Sequence, residues 1–296
     1  MNLLNNIYIS NINIVKMFDD YELYDDVQAL GMALLGVNVA LWLVSLALGK
    51  TWPVDFIWST WPILHCAYLL QTSGGDRTNE GGAIIALVLT AIWGVRLTYN
   101  FAVARSGIGH EDWRYQNMRR DIGPTHFWWV SLFSVFLGQS CFMFVGCLSF
   151  HAIVRGAELV PFWSRTMAGA TITASAILLE VVSDQQMNAF IKARQEKRTK
   201  KCVLDTGLWS YSRHPNYFGE FLFWFGLFVM GGARPNSLSL AGPACMFFLF
   251  WGISIELMET RQRERKGAEW EQYVKDVPSA FFLRPPSRPA TRVEKN

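Results

Sequence analysis

The feature that most constrains this chain is the recurrence of stretches of roughly 18 or more apolar, nearly uncharged residues, the length that crosses about 30 Å of hydrocarbon. Seven occur along the 296 residues, at 30–48, 53–71, 82–104, 127–150, 166–190, 217–233 and 238–257. The second and sixth are the weakest. Inside lipid the backbone must satisfy its own hydrogen bonds, so such stretches are helices. With 51% hydrophobic and only 17% charged residues, the composition argues against a soluble domain or pair of domains. The expected fold is an all-α integral membrane bundle of about seven transmembrane helices. No internal repeat or second soluble domain is visible. The organisation reads as a polar amino-terminal segment over 1–29, a membrane domain over 30–283, and a disordered, proline-marked tail over 284–296.

Charge sets the expected orientation. Lys and Arg collect in three segments: after the third stretch (Arg105, Arg114, Arg119, Arg120), between the fifth and sixth (Lys192 to Arg213), and after the seventh. Cytosolic loops carry that excess. Seven spans then leave the amino terminus lumenal or outside and the carboxyl terminus cytosolic. The first 29 residues lack a basic start followed by an apolar core, which argues against a cleaved signal peptide. Their Asn-rich character points to the endoplasmic reticulum over a bacterial inner membrane. Five Cys without a CxxC pair or a nearby His give neither a disulfide framework nor a zinc site. The net charge of +3 is too small to suggest nucleic acid. Membrane lipid is the expected partner, without metal.

Ionisable residues inside such spans are costly and mark function. Here they are Asp55, Arg96, Glu180 and Asp184, the last two four apart on one helical face. Gln186 and Asn188 continue the polar order towards Lys192 and Arg194. For them a plain interfacial helix end is an equal reading. The densest polar run is GLWSYSRHPNYFGE, Gly207 to Glu220. Asn216 and Glu220 are again one turn apart, and Pro215 suits a helix first turn. Such a helix start attracts anions, and Arg213 and His214 just before it add donors for phosphate oxygens.

The run GLWSYSRHPNYFGE, with EVVSDQQMNAF upstream of it, resembles the membrane steroid 5-alpha-reductase-like superfamily, in its uncharacterised reductase branch. VDFIWS, WGVRLTYN and HEDWRY in the amino-terminal half match more loosely. The resemblance implies a seven-helix membrane oxidoreductase acting on CH–CH groups, with NADPH in a cavity open to the cytosol. It assigns cofactor contacts to Asp184, Lys192, Asn216, Tyr217 and Glu220, and to Trp209, Tyr211, Arg213 and His214 through the RHPNY form. Arg96, Arg114 and Gln186 fall near the cofactor, and Tyr273 packs across its mouth. Glu180 stands where the steroid enzymes carry Asn. Those enzymes hold a substrate carbonyl with an acid in span two and a Tyr in span three. Asp55 supplies the acid. Trp93 occupies the aligned Tyr position, so Tyr99 either substitutes in a shifted register or packs between helices.

The expected activity is therefore NADPH-dependent reduction of a carbon–carbon double bond in a steroid- or lipid-like substrate. One alternative is a membrane methyltransferase of the isoprenylcysteine or phospholipid type using S-adenosylmethionine. Those enzymes also carry an RHPxYxG segment before a helical hairpin, and Glu256 and Glu259 resemble their acidic end. Another is an inactive sterol-binding membrane protein.

Overall fold

A computed structural model describes residues 21–73, 80–105, 108–155, 162–232 and 238–287. Residues 1–20, the connection at 233–237 between the sixth and seventh stretches, and the tail beyond 287 lie outside the described residues. The architecture is helical, with no strand among the described residues. The helices are α1 (Tyr21–Leu48), α2 (Asp55–Thr72), α3 (Glu80–Tyr99), α4 (Trp113–Ile122), α5 (Pro124–Ser131), α6 (Gly138–Gly146) and α7 (Leu148–Arg155). They continue as α8 (Phe162–Gln195), α9 (Pro215–Met230), α10 (Ala241–Phe247), α11 (Ile255–Lys266) and α12 (Ala268–Asp276).

Each of the seven apolar stretches contains helix. Five helical segments are long and apolar enough to cross a membrane: Tyr24–Leu48, Glu80–Val103, Pro124–Arg155, Ser164–Gln195 and Leu238–Lys266. The two weak stretches are the shorter helices, α2 with 18 residues and α9 with 16. Half of α9 is buried and the rest half-buried, with Phe223, Trp224 and Leu227 at 0–1% exposure. Of the expected polar amino-terminal segment, only residues 21–29 are described. Residues 21–29 open α1, and Asp26 is buried because Arg155 pairs with it at 2.6 Å.

Membrane-like surfaces are explicit on α3. Ile84, Val88, Ile92, Val95, Tyr99 and Val103 follow one another at three- and four-residue steps, and all are exposed. That spacing is one helical face. A contiguous apolar face of this length is what lipid, and not water, tolerates.

Small residues set the close approaches. A Cβ on Gly94 would lie 2.4 Å from the Ser59 carbonyl oxygen, so only glycine lets α3 cross α2 here, where Thr98 Oγ1 also donates to Ser59 Oγ at 2.8 Å. α8 and α9 make the most extensive helix pair, in which Cβ atoms on Gly219 and Gly226 would meet Glu180 Cγ at 2.4 Å and Thr173 Oγ1 at 2.3 Å. Polar pins fix α1: Ser140 Oγ donates to Asn38 Oδ1 at 2.9 Å, and Trp42 Nε1 to the Trp128 carbonyl at 2.9 Å. At one end of the bundle Arg119 ties Glu111 to the Gly49 carbonyl, while at the other Arg155 joins Asp26 to Thr72.

Three π-helical turns interrupt the long helices, at Asn100–Arg105, Leu132–Leu137 and Phe248–Ser254. Such turns re-aim side chains and concentrate at functional sites. Each is next to a residue of the site described below: Asn100, Gln139 and Phe250.

Candidate functional site

The site begins with one buried guanidinium facing three carboxylates. Arg96, in the last turn of α3, places Nη1 2.9 Å from Asp184 Oδ2 and Nη2 2.8 Å from Glu220 Oε1, and Nη2 also pairs with Glu180. The i, i+4 spacing of Glu180 and Asp184 puts both on the α8 face that meets α9. The absence of a side chain at Gly219 gives Glu180 room there. Trp93 Nε1 donates to Glu220 Oε2 at 3.1 Å, and Asn100 Nδ2 donates to Asp184 Oδ2 at 2.6 Å. Two motifs separated by a long basic loop thus meet through a residue of the third stretch. Glu180 is fully buried, and among the described residues its Oε1 accepts no hydrogen bond. With carboxylates outnumbering the guanidinium, the cluster favours hydrogen-bond donors over phosphate. Gly219→Ala is expected to push Glu180 out of this arrangement. Overpacking of that kind costs about 1–3 kcal/mol, visible as a lower melting temperature in detergent; an unchanged melt would contradict the packing role.

The second assembly is a clasp. Arg213 donates from Nε to Glu259 Oε1 at 2.8 Å and from Nη1 to the carbonyls of Val277 and Pro278 at 2.7 and 2.9 Å. Ser212 Oγ meets the carbonyls of Ala280 and Phe281, and His214 Nε2 lies 2.9 Å from Glu259 Oε1. Burial holds the His214 imidazole below its ordinary value despite Glu259, so at pH 7 the ring is neutral and donates through Nε2. The clasp closes the 277–284 strap over α9 and α10, where Phe281 is fully buried against Phe218, Phe221, Phe247 and Trp251. Residues 284–287 of the expected disordered tail are held instead: the Arg284 and Ser287 amides donate to the Tyr211 and Asp276 carbonyls. Arg213→Ala is expected to free the strap, seen as limited proteolysis between 277 and 284; a strap that stays protease-resistant would contradict the clasp.

These contacts revise the phosphate-facing expectation for several residues. Arg213 and His214 are at most 7% exposed and turned inward to Glu259 and the strap. Trp209 Nε1 donates to the Ser183 carbonyl at 3.1 Å, Tyr273 Oη donates to the Trp209 carbonyl at 2.6 Å, and Gln186 Oε1 accepts from the Leu208 amide at 2.9 Å. All three join structural elements. Tyr211 and Lys192 are exposed. Asn216 and Tyr217 sit half-buried in the first turn of α9, and the Tyr217 ring stacks between His214 and Phe250 at centroid distances of 5.4 and 5.6 Å.

The third assembly surrounds Asp55. Tyr99 is not part of it: at 58% exposure it belongs to the outward apolar face of α3. The hydroxyl that meets Asp55 is Tyr115, from HEDWRY, at 3.4 Å. Asp112 caps α4 by accepting from the Arg114 amide at 2.8 Å, and so turns Tyr115 inward. Trp58 Nε1 can only donate, and it does so to Gln139 Oε1 at 2.5 Å. That fixes the Gln139 amide with its NH2 towards Tyr115, where it donates to the phenol oxygen at 2.6 Å. The Tyr115 oxygen therefore accepts within the protein, and its own O–H is left to donate to Asp55 or to a ligand. Burial, reinforced by Asp55, pushes the phenol well above its ordinary value, so it stays protonated at neutral pH. Arg114 lies over the Tyr115 ring with its guanidinium on Asp112. Partial desolvation opposes the charge of this half-exposed guanidinium, but the Asp112 hydrogen bond and the nearby Tyr115, Asp112 and Tyr217 raise its pKa overall. Tyr217 of α9 and Tyr115 of α4 thus share one neighbourhood.

Sequence reasoning missed Tyr115, Gln139 and Asn100. For Tyr99, the three- and four-residue spacing with Val95 and Ile92 carried the warning.

Comparison with known proteins adds a family without an activity. An uncharacterised protein of Schizosaccharomyces pombe is 26% identical over 220 residues, covering 67% of this chain and 62% of the relative. No solved structure matches. The family described as "Protein of unknown function (DUF1295)" matches residues 41–277, most of the chain and all of the site except the strap beyond Val277, and the protein belongs to that family.

Proposed function

We propose that the protein is a membrane-embedded reductase that uses NADPH to reduce a carbon–carbon double bond conjugated to a carbonyl in a lipophilic substrate. This is the activity that resemblance to the steroid 5-alpha-reductase-like superfamily implies. The observation that carries it is the Trp58–Gln139–Tyr115 chain, which holds a phenol O–H as an oriented donor beside Asp55. Reduction of an enone requires such a donor at the carbonyl oxygen.

The residues present fit the cofactor. The carboxylates of the Arg96 cluster, where the buried Glu180 Oε1 accepts no hydrogen bond among the described residues, suit the carboxamide N–H and ribose hydroxyl groups of a nicotinamide nucleoside. Asn216 sits at the start of α9, where helix geometry directs backbone N–H groups outward. Arg114 and Lys192, both exposed, are the cations left to meet phosphates once Arg213 is assigned to the clasp. When bound, NADPH supplies the hydride. Tyr115 polarises the substrate carbonyl through its O–H, and Asp55 orients that hydroxyl before substrate arrives. In this proposal seven helices span the endoplasmic reticulum membrane, and the carboxyl terminus faces the cytosol.

Asn216→Ala and Asp184→Ala test the cofactor assignment. Removing Asp184 still leaves Arg96 two carboxylates, so folding should persist. Each variant is expected to lose NADPH affinity by at least about tenfold, the loss of one strong hydrogen bond, with little change in melting temperature. Normal affinity in both would place the cofactor elsewhere.

A further inference from the structure

The carboxyl-terminal ends of α8 and α11 meet at one end of the bundle. Arg194, in the last turn of α8, places Nη2 3.8 Å from Cys202 Sγ. Glu269 of α12 accepts from the Cys202 and Val203 amides at 2.6 and 2.8 Å, and Lys266 Nζ lies 5.3 Å from the centre of the Trp270 ring. The turn over 196–201 therefore leaves α8 and folds back beside its end, next to Lys266. Arg194 and Lys266 repel one another across Cys202.

The acids at this end are largely engaged: Glu196 by Arg198, Asp205 by Lys201, Glu271 by Arg263, and Glu269 by the two amides. Among the described residues, Arg194, Lys197, Lys200, Arg265 and Lys266 have no carboxylate within ion-pair distance, and Glu264 is the acid left over. Lys197 carries a second signal. Its φ is +57°, and it closes α8 as the left-handed residue of a Schellman motif, its own amide on the Arg194 carbonyl and the Arg198 amide on that of Ala193. Glycine normally takes this position, because a left-handed backbone crowds Cβ. The chain keeps a cation at the exposed tip of the turn at a cost to the helix end.

The cations sit at the border of the lipid-tolerant surface. Ile191 and Leu257 are the last large apolar side chains exposed along α8 and α11. Arg194 follows Ile191 by about one turn, and Arg265 follows Leu257 by about two. Charge thus begins where the apolar exposure ends, at the depth of phospholipid headgroups. We propose that Arg194, Lys197, Lys200 and Lys266 form a docking surface for an anionic phospholipid headgroup, whose phosphate sits between the repelling cations and holds the 196–203 turn against α12. Each Lys or Arg near such a surface strengthens binding to anionic lipid by about fivefold. Lys192 stays with the cofactor in the reading above, and the lipid surface does not depend on that reading.

The test is equilibrium binding of phosphatidylserine and of phosphatidylcholine with identical acyl chains to the full chain in mild detergent, read by native mass spectrometry. Phosphatidylserine is expected to bind at least about tenfold tighter, with a preference that falls as salt rises. Lys197→Gly should cut the preference by about fivefold at an unchanged or higher melting temperature, since glycine suits the turn. The double variant Arg194→Gln, Lys266→Gln should abolish most of it. Equal affinities for the two lipids in the wild type, or a full preference in the double variant, would overturn the surface. So would complete displacement of phosphatidylserine by inorganic phosphate or by NADPH, which would give these cations to a soluble phosphate compound in place of a membrane lipid. Hydrogen exchange of the wild-type chain needs no variant to fold. Phosphatidylserine should slow exchange at 196–203 and phosphatidylcholine should not; equal exchange in the two lipids would also overturn the proposal.

Discussion

Arg96→Met is expected to destabilise the protein more than any other single change discussed here. It removes the cation that faces Glu180, Asp184 and Glu220, and leaves their carboxylates close to one another. Breaking a buried ion pair from one side costs about 3–5 kcal/mol, because the remaining charge loses its counter-charge. Here three carboxylates lose the same guanidinium at once, so the folded protein should be recovered poorly from membranes and melt well below the wild type. Arg96→Lys should fall between the two. It restores a charge but lacks the fork that reaches Asp184 through one arm and Glu220 through the other. A methionine variant with wild-type yield and melting temperature would show that the cluster does not hold α3, α8 and α9 together.

Tyr115→Phe carries the second large effect, on activity in place of stability. The substitution keeps the ring and removes the oxygen that accepts from Gln139 and donates towards Asp55. Loss of a positioned acid or oxyanion donor typically slows the chemical step by about 10²–10³. On the proposed function kcat should fall by that order while NADPH affinity is unchanged. Tyr99→Phe should have no measurable effect, since Tyr99 faces outward with Val95 and Val103. Gln139→Leu should give a smaller loss than Tyr115→Phe, since the phenol stays present but is no longer oriented. Equal activity in wild type and Tyr115→Phe would remove Tyr115 from the mechanism.

The sequence made the helices legible because lipid forces the pattern: each long apolar stretch has no alternative to helix. The two weakest stretches turned out to be the shorter helices α2 and α9, in which Ser59, His65, Gly219 and Gly226 face protein. Local spacing also revealed which residues share a face, as with Glu180 and Asp184. It could not reveal that Arg96 would join that face to Glu220, because the link depends on how three helices cross at Gly94 and Gly219. Arg213 shows the same limit from the other side. Its two-pronged chemistry was read correctly, but its target was assigned to phosphate, whereas the fold brings it Glu259 and the carbonyls of Val277 and Pro278. Tyr115 stayed hidden because its partner Gln139 is a single amide in an apolar run, unremarkable until α6 packs beside α4. Tyr99 was proposed by matching a motif at the wrong register. The period of exposed residues on α3 overrides that match.

The central claim is that the neighbourhood of the Arg96 cluster and Tyr115 holds a nicotinamide dinucleotide. The most direct measurement is equilibrium binding of NADPH and of S-adenosylmethionine to the same purified protein in mild detergent. The account predicts saturable NADPH binding that Asn216→Ala weakens, with no competition by S-adenosylmethionine. Saturable S-adenosylmethionine binding by a protein that ignores NADPH would contradict it.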